Sequence, residues 1–166
     1  GGRLGIGPQM YGDSFEFPIP QQVSGLSGVV AIDATLDNGY AVKSDGTVWV
    51  WGGFCGPCVN TESPPSGWNN SGTALQVAGV GGIVAVTADR NSVIGRRADG
   101  TLLAWGENAN GELGRATGMH TSVSQPPAEV AGIGGVVAVS LDTSHTLALK
   151  SDGTVWAWGL GGDGQL

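Results

Sequence analysis

Charge is scarce in this sequence of 166 residues. Only 13% of residues are Asp, Glu, Lys or Arg, and just seven are cations. A surface that holds phosphate backbones needs clustered Lys and Arg. With a net charge of −7 and scattered cations, no nucleic-acid partner is expected. Long apolar runs are lacking as well: no stretch of 18 apolar residues offers a spanning helix, and no membrane partner is expected. Cysteine is limited to Cys55 and Cys58, and only His120 and His145 could join them around a metal that prefers four ligands. No stretch combines helical periodicity with caps, so helices should be few. No Ser-His-Asp order, paired-carboxylate frame or phosphate loop is found, and the Gly-rich segments end strands instead of opening helices. A non-enzymatic chain without cofactor is expected. The low Lys count and acidic, Gly/Thr-rich composition lean toward a secreted bacterial protein.

Glycine, by contrast, is abundant at 31 residues, and it falls at matching places in a repeat. Ser144 to Gly159, SHTLALKSDGTVWAWG, reads as a β-hairpin. Leu147 and Leu149 share one face, Asp152-Gly153 forms the turn, and Val155 to Trp158 alternate on the return. Asp-Gly between two period-two runs is a strong hairpin signal. The unit recurs as GYAVKSDGTVWVWG from Gly39 and VIGRRADGTLLAWG from Val93. The turn glycines Gly46, Gly100 and Gly153 lie 54 and 53 residues apart. Such a period marks supersecondary units too small to bury their own apolar faces.

Other segments keep the same period. Val23-Ser24-Gly25-Leu26, Val77-Ala78-Gly79-Val80 and Val130-Ala131-Gly132-Ile133 lead into the runs VVAI, IVAV and VVAV at Val29, Ile83 and Val136. These β-branched runs suit inner strands buried on both faces. Gly111-Glu112-Leu113-Gly114 has copies in Gly2-Arg3-Leu4-Gly5 and Gly164-Gln165-Leu166, so both ends of the sequence fall inside a repeat. Units of about four short strands are expected at 6–60, 61–114 and 115–166. The fold class is all-β.

Four-stranded units at this period resemble the blades of the regulator of chromosome condensation family, a seven-bladed propeller. The VVAV strand, SHTLALKSDGTVWAWG and GDGQL of the third unit carry the resemblance, with weaker copies in the other two. Phe54 to Asn60 departs from it by replacing the Gly-x-Leu-Gly segment; the His before the hairpin survives only as His145; and Arg96 takes a position held by Val42 and Leu149. Propellers close with about 4–8 blades. Three units therefore imply a partial propeller, completed by further sequence or by further copies of the chain. Some members of the family are photoreceptors that use Trp within Gly-Trp-Arg-His-Thr motifs. Those motifs are absent here, so Trp49, Trp51, Trp105, Trp156 and Trp158 read as blade packing.

The resemblance implies a scaffold that binds proteins through loops on one rim. The loops that vary most between units are Gly53 to Thr73 and Glu107 to Ser124. Phe54, Trp68, Asn69, Asn108, Asn110, Met119 and His120 are the candidate partner contacts, chosen for exposure and chemistry. Trp68 either folds back on its blade or stands out as an anchor. Cys55-Gly56-Pro57-Cys58 matches a thioredoxin active-site tetrapeptide, but the following NTESPPSG cannot open the helix that lowers such a thiol's pKa. A local disulfide or two free thiols is the simpler reading. Three alternatives to the scaffold remain: nucleotide-exchange regulation of a small GTPase, thiol–disulfide exchange at Cys55 and Cys58, and self-assembly. His145, between two hydroxyl residues, reads as a turn residue bonded to backbone, and Gly161-Gly162-Asp163-Gly164 as a linker.

Overall fold

The computed structural model describes residues 3–6, 18–53, 71–116 and 124–166. Among them are eleven strands and no helix. The first sheet contains β1 (Val29–Ala34), β2 (Asn38–Lys43), β3 (Val48–Gly52) and β4 (Ser71–Gln76) in that order. The second contains β5 (Ile83–Asp89), β6 (Ser92–Arg97), β7 (Leu102–Gly106) and β8 (Gln125–Glu129). The third contains β9 (Val136–Asp142), β10 (His145–Lys150) and β11 (Val155–Gly159). Every pairing is antiparallel between consecutive strands, so each sheet is a meander. Because β4 and β8 pair backward onto β3 and β7, the hydrogen-bonded sheets are offset from the sequence units at 6–60, 61–114 and 115–166.

Each hairpin turn is one residue longer than Asp-Gly alone. Gly46 N donates to Lys43 O, and Lys43 N to Thr47 O, closing a β-turn over residues 43–46 whose last residue is Gly46 at φ +81°. Gly100 and Gly153 repeat this. The pattern is a three-residue connection with glycine in the left-handed position. The aspartate does separate work. Asp45 accepts from Thr47 Oγ1 and N at 2.6 and 3.0 Å, Asp99 from Thr101 N and Oγ1 at 2.9 and 2.7 Å, and Asp152 from Thr154 Oγ1 and N at 2.6 and 3.0 Å.

These bonds hold all three carboxyls below the ordinary aspartate range, led by the Thr hydroxyl at Asp45 and Asp152 and by the Thr101 amide at Asp99. A carboxyl depressed in the folded chain stabilises it above the unfolded pKa, and that contribution is lost as pH falls through the folded value. Stability should therefore be level near neutrality and fall in acid, below about pH 4. Denaturant titrations across that range should show a shallower acid loss for the triple variant Asp45→Asn/Asp99→Asn/Asp152→Asn. An unchanged slope would remove these turns from the account.

The core lies between sheets. Tyr40, Val42, Val48 and Val50 of the first sheet pack with Ile83, Val86, Val93, Leu103 and Trp105 of the second. Ile94, Leu102 and Ala104 of the second pack with Val136 and Ala148 of the third, together with Leu113 and Val130. Each such buried aliphatic side chain contributes roughly 1.5–3 kcal/mol. The inner strands β1, β5 and β9 lie against one another in succession. Their burial is one-sided, contrary to the sequence reading: Val30, Val84 and Val137 are exposed in all three sheets. Successive side chains point to opposite faces of a strand, and only one set reaches the core between sheets.

The same backbone contact joins each sheet to the next. Ile83 N donates to Gly46 O and Val136 N to Gly100 O, both at 3.1 Å. The two junctions differ at Arg96. Half-buried, it points Nη1 at Arg97 O, 3.5 Å away, beside a gap of about 240 Å³ lined by Ala85, Thr87, Ile94 and Val137 to Val139.

Candidate interaction surface

A meander places alternate connections at opposite ends of its sheet. The turns after β1, β5 and β9 therefore share a rim with the segments that leave β3, β7 and β11. Backbone bonds tie the two together: Gly53 N donates to Asp37 O, Glu107 N to Asn91 O and Leu160 N to Ser144 O, at 2.6–2.9 Å. The long variable segments 53–70 and 107–124 both issue from this rim. The three Asp-Gly turns lie on the other.

Charge divides unevenly between the rims. At the Asp-Gly rim Lys43, Arg96, Arg97 and Lys150 balance Asp45, Asp99, Glu129 and Asp152. Local pairs form there, Arg97 with Glu129 at 3.8 Å and Lys150 with Asp152 at 3.7 Å. Lys43 and Lys150 also lie over the Trp49 and Trp156 rings, 5.3 and 5.4 Å from the centroids. The loop rim holds Asp33, Asp37, Asp89, Glu107, Glu112, Asp142 and Asp163 against Arg3, Arg90 and Arg115. Arg3 pairs with Asp37, and Asp33 accepts from Ala88 N at 2.7 Å, bridging the first two sheets. Asp142 accepts from the amide and hydroxyl of Thr143, which hold its carboxyl below the usual range. Among the described residues this rim is acidic.

Of the expected contacts, Asn108 and Asn110 lie among the described residues. The exposure expected of Asn108 does not hold. It is fully buried, its Oδ1 accepting from Leu113 N and its Nδ2 donating to Arg115 O, both at 2.8 Å. A short loop must satisfy its own backbone groups, and Asn does so well. Asn110 is half-buried, and its backbone N–H donates to Glu112 Oε2 at 2.8 Å. Phe54, Cys55, Cys58, Trp68, Asn69, Met119 and His120 lie outside the described residues. His145 begins β10 and pairs with Asp142 and Gly159 across the sheet.

Sequence reasoning missed what Gly111 to Gly114 does. Glu112 and Leu113 are buried, and Glu112 O accepts from Thr146 Oγ1 at 2.7 Å and from Trp158 Nε1 at 2.8 Å. The segment thus clasps the second sheet to the third. Gly114 packs so close that a Cβ would come within 2.8 Å of Val130 and 3.0 Å of Trp158. Gly5 meets Val23 and Trp51 in the same way, and its carbonyl accepts from Ser24 N. The repeated Gly-x-Leu-Gly was the available signal. Arg115 follows the clasp; its Nη1 donates to Pro126 O at 3.1 Å, while burial pulls its pKa below the ordinary value.

Residues 99–149 and 136–165 match family profiles described as regulator of chromosome condensation (RCC1) repeat. Residues 99–165 thus match RCC1 repeats. Human E3 ubiquitin-protein ligase HERC2 is 32% identical over 165 residues, which cover 95% of this chain and 3% of that protein. The ultraviolet-B receptor UVR8 of Arabidopsis thaliana is 28% identical over 99% of this chain and 38% of its own length. The chain thus spans a small part of the curated relatives it matches. Human WBSCR16 superposes with a TM-score of 0.70 at 20% identity, over 94% of this chain and 40% of its own. Prp20p of Saccharomyces cerevisiae gives 0.61 at 24% identity, over 80% of this chain and 31% of its own. The sheets described above are blades of an RCC1-like β-propeller.

Proposed function

We propose that this chain is a non-enzymatic scaffold whose loop rim receives a partner protein with a basic face. The single observation that carries the reading is the coincidence, on one rim, of both long variable segments with an excess of carboxylates. Varied loops over a constant frame are how such folds acquire partners. Complementary charge steers encounter and selects partners more than it adds affinity. Prp20p, a neighbour in fold, has binding properties toward Gsp1p and histones. Nothing in that likeness transfers a particular partner.

The test compares proteins captured from the source cells by four baits. The wild-type chain should retain a defined set that diminishes as salt rises. Two variants should lose it: one with 54–70 and 117–123 replaced by Gly-Ser linkers, and one with Asp37→Asn/Asp89→Asn/Asp142→Asn. A Lys43→Gln/Lys150→Gln variant, altered on the opposite rim, should keep it. Equal capture by all four baits would overturn the reading.

A further inference from the structure

The two internal junctions share one register but differ in charge. Asp33 and Thr87 hold the same place on the inner strands, opposite Tyr40 and Ile94. Val42 and Arg96 hold the same place on the next strands, opposite Ala31 and Ala85. Between the first and second sheets this register sets a carboxylate beside an apolar wall. Asp33 Oδ2 accepts from Ala88 N at 2.7 Å, and Tyr40 and Val42 are buried. Between the second and third sheets Thr87 replaces the carboxylate, a guanidinium stands in the place of Val42, and Ile94 is smaller than the Tyr40 ring.

The gap of about 240 Å³ beside Arg96 lies at this second junction. Both of its walls belong to the two sheets that meet there, so no further blade is needed to define it. Val137, on the far wall, is 46% exposed, which leaves the gap in contact with solvent. What the gap lacks is an anion. Among the described residues the Arg96 guanidinium reaches only Arg97 O, at 3.5 Å, the outer limit of a hydrogen bond, and forms no ion pair. Arg97, by contrast, has Glu129. Thr87 is weakly engaged as well, its Oγ1 3.4 Å from Val139 O. A half-buried cation left in this state has given up water without gaining a counter-charge.

We propose that this gap is a binding site for a small aliphatic carboxylate. The planar fork of Arg96 matches the two oxygens of a carboxylate. The Thr87 hydroxyl turns from Val139 O to donate to one of them. Ala85, Ile94, Val137 and Val139 present carbon to a short alkyl tail. The bound group thus brings to the second junction the negative charge that Asp33 brings to the first. A sulfate or phosphate would leave most of its oxygens against alkyl groups, and unpaired polar atoms there are costly. None of these residues belongs to the loops of the proposed partner surface, so the two readings stand or fall separately.

Titrating the isotope-labelled chain with sodium butyrate at constant ionic strength, followed by NMR, tests the site. Saturable shifts are expected at the backbone amides of 85–87, 94–97 and 137–139 and at the Arg96 Nε–H, with a dissociation constant on the order of 1 mM. Butanol, which has the tail without the charge, and sulfate, which has the charge without the tail, should shift them far less. Arg96→Gln should weaken butyrate binding about tenfold or more, the loss expected for a hydrogen-bonded charge. Thr87→Asp sets a carboxylate where the first junction has one and should abolish binding; it serves as the second variant should the first not keep the dispersed spectrum of the fold. Wild-type shifts that do not saturate, that butanol or sulfate reproduces, or that persist undiminished in a folded variant would overturn the proposal.

Discussion

Replacing Trp105 with alanine is expected to destabilise the chain by about 3–5 kcal/mol, the range for removing a large buried aromatic. Trp105 is fully buried, and it belongs to the cluster in which Tyr40, Val42, Val48 and Val50 of one sheet meet Ile83, Val93 and Leu103 of the next. Its loss opens a cavity at a junction, where neither sheet can collapse without moving against the other. The comparison is Trp156→Ala. That ring is 47% exposed and its polar contact is with Lys150, so about 1 kcal/mol or less is expected. Urea unfolding of the two variants separates a tryptophan buried between blades from a largely exposed one. Equal losses would contradict the placement of the core between sheets.

The architecture was legible because it is written three times. Each Asp-Gly turn, each β-branched run and each Trp-Gly strand end recurs at 53 or 54 residues, and those repeats became β1 to β11 in order. Two details were not legible. Strand pairing of β4 and β8 runs backward in the chain, which periodicity cannot reveal because a repeat has no marked beginning. One-sided burial of the inner strands was hidden because a run such as VVAI reads the same whether one face or two are covered.

The rim was harder. Asn108 was chosen for its polar chemistry, but amide side chains serve loops from within as readily as they serve partners from without, and burial decides between the two. The clasp at Glu112 was invisible for a related reason. It acts through a backbone carbonyl, which every residue possesses. The acidic bias of the loop rim required strand direction, since the net charge of −7 does not say where the charges sit.

Alanine at the turn glycines should separate local strain from contact between blades. Gly46, Gly100 and Gly153 have φ of +81°, +81° and +84°, so each Ala variant bears a similar backbone cost of about 1–2 kcal/mol. At Gly46 and Gly100 the added methyl also meets the backbone of the following blade at 2.7–2.9 Å, whereas at Gly153 it meets open space. Overpacking of that kind adds about 1–3 kcal/mol. The decisive measurement is the unfolding free energy of Gly100→Ala relative to Gly153→Ala. Blades packed turn against inner strand predict that Gly100→Ala is the less stable by about 1–3 kcal/mol. Equal stability of the two variants would mean that the second and third sheets do not meet as described.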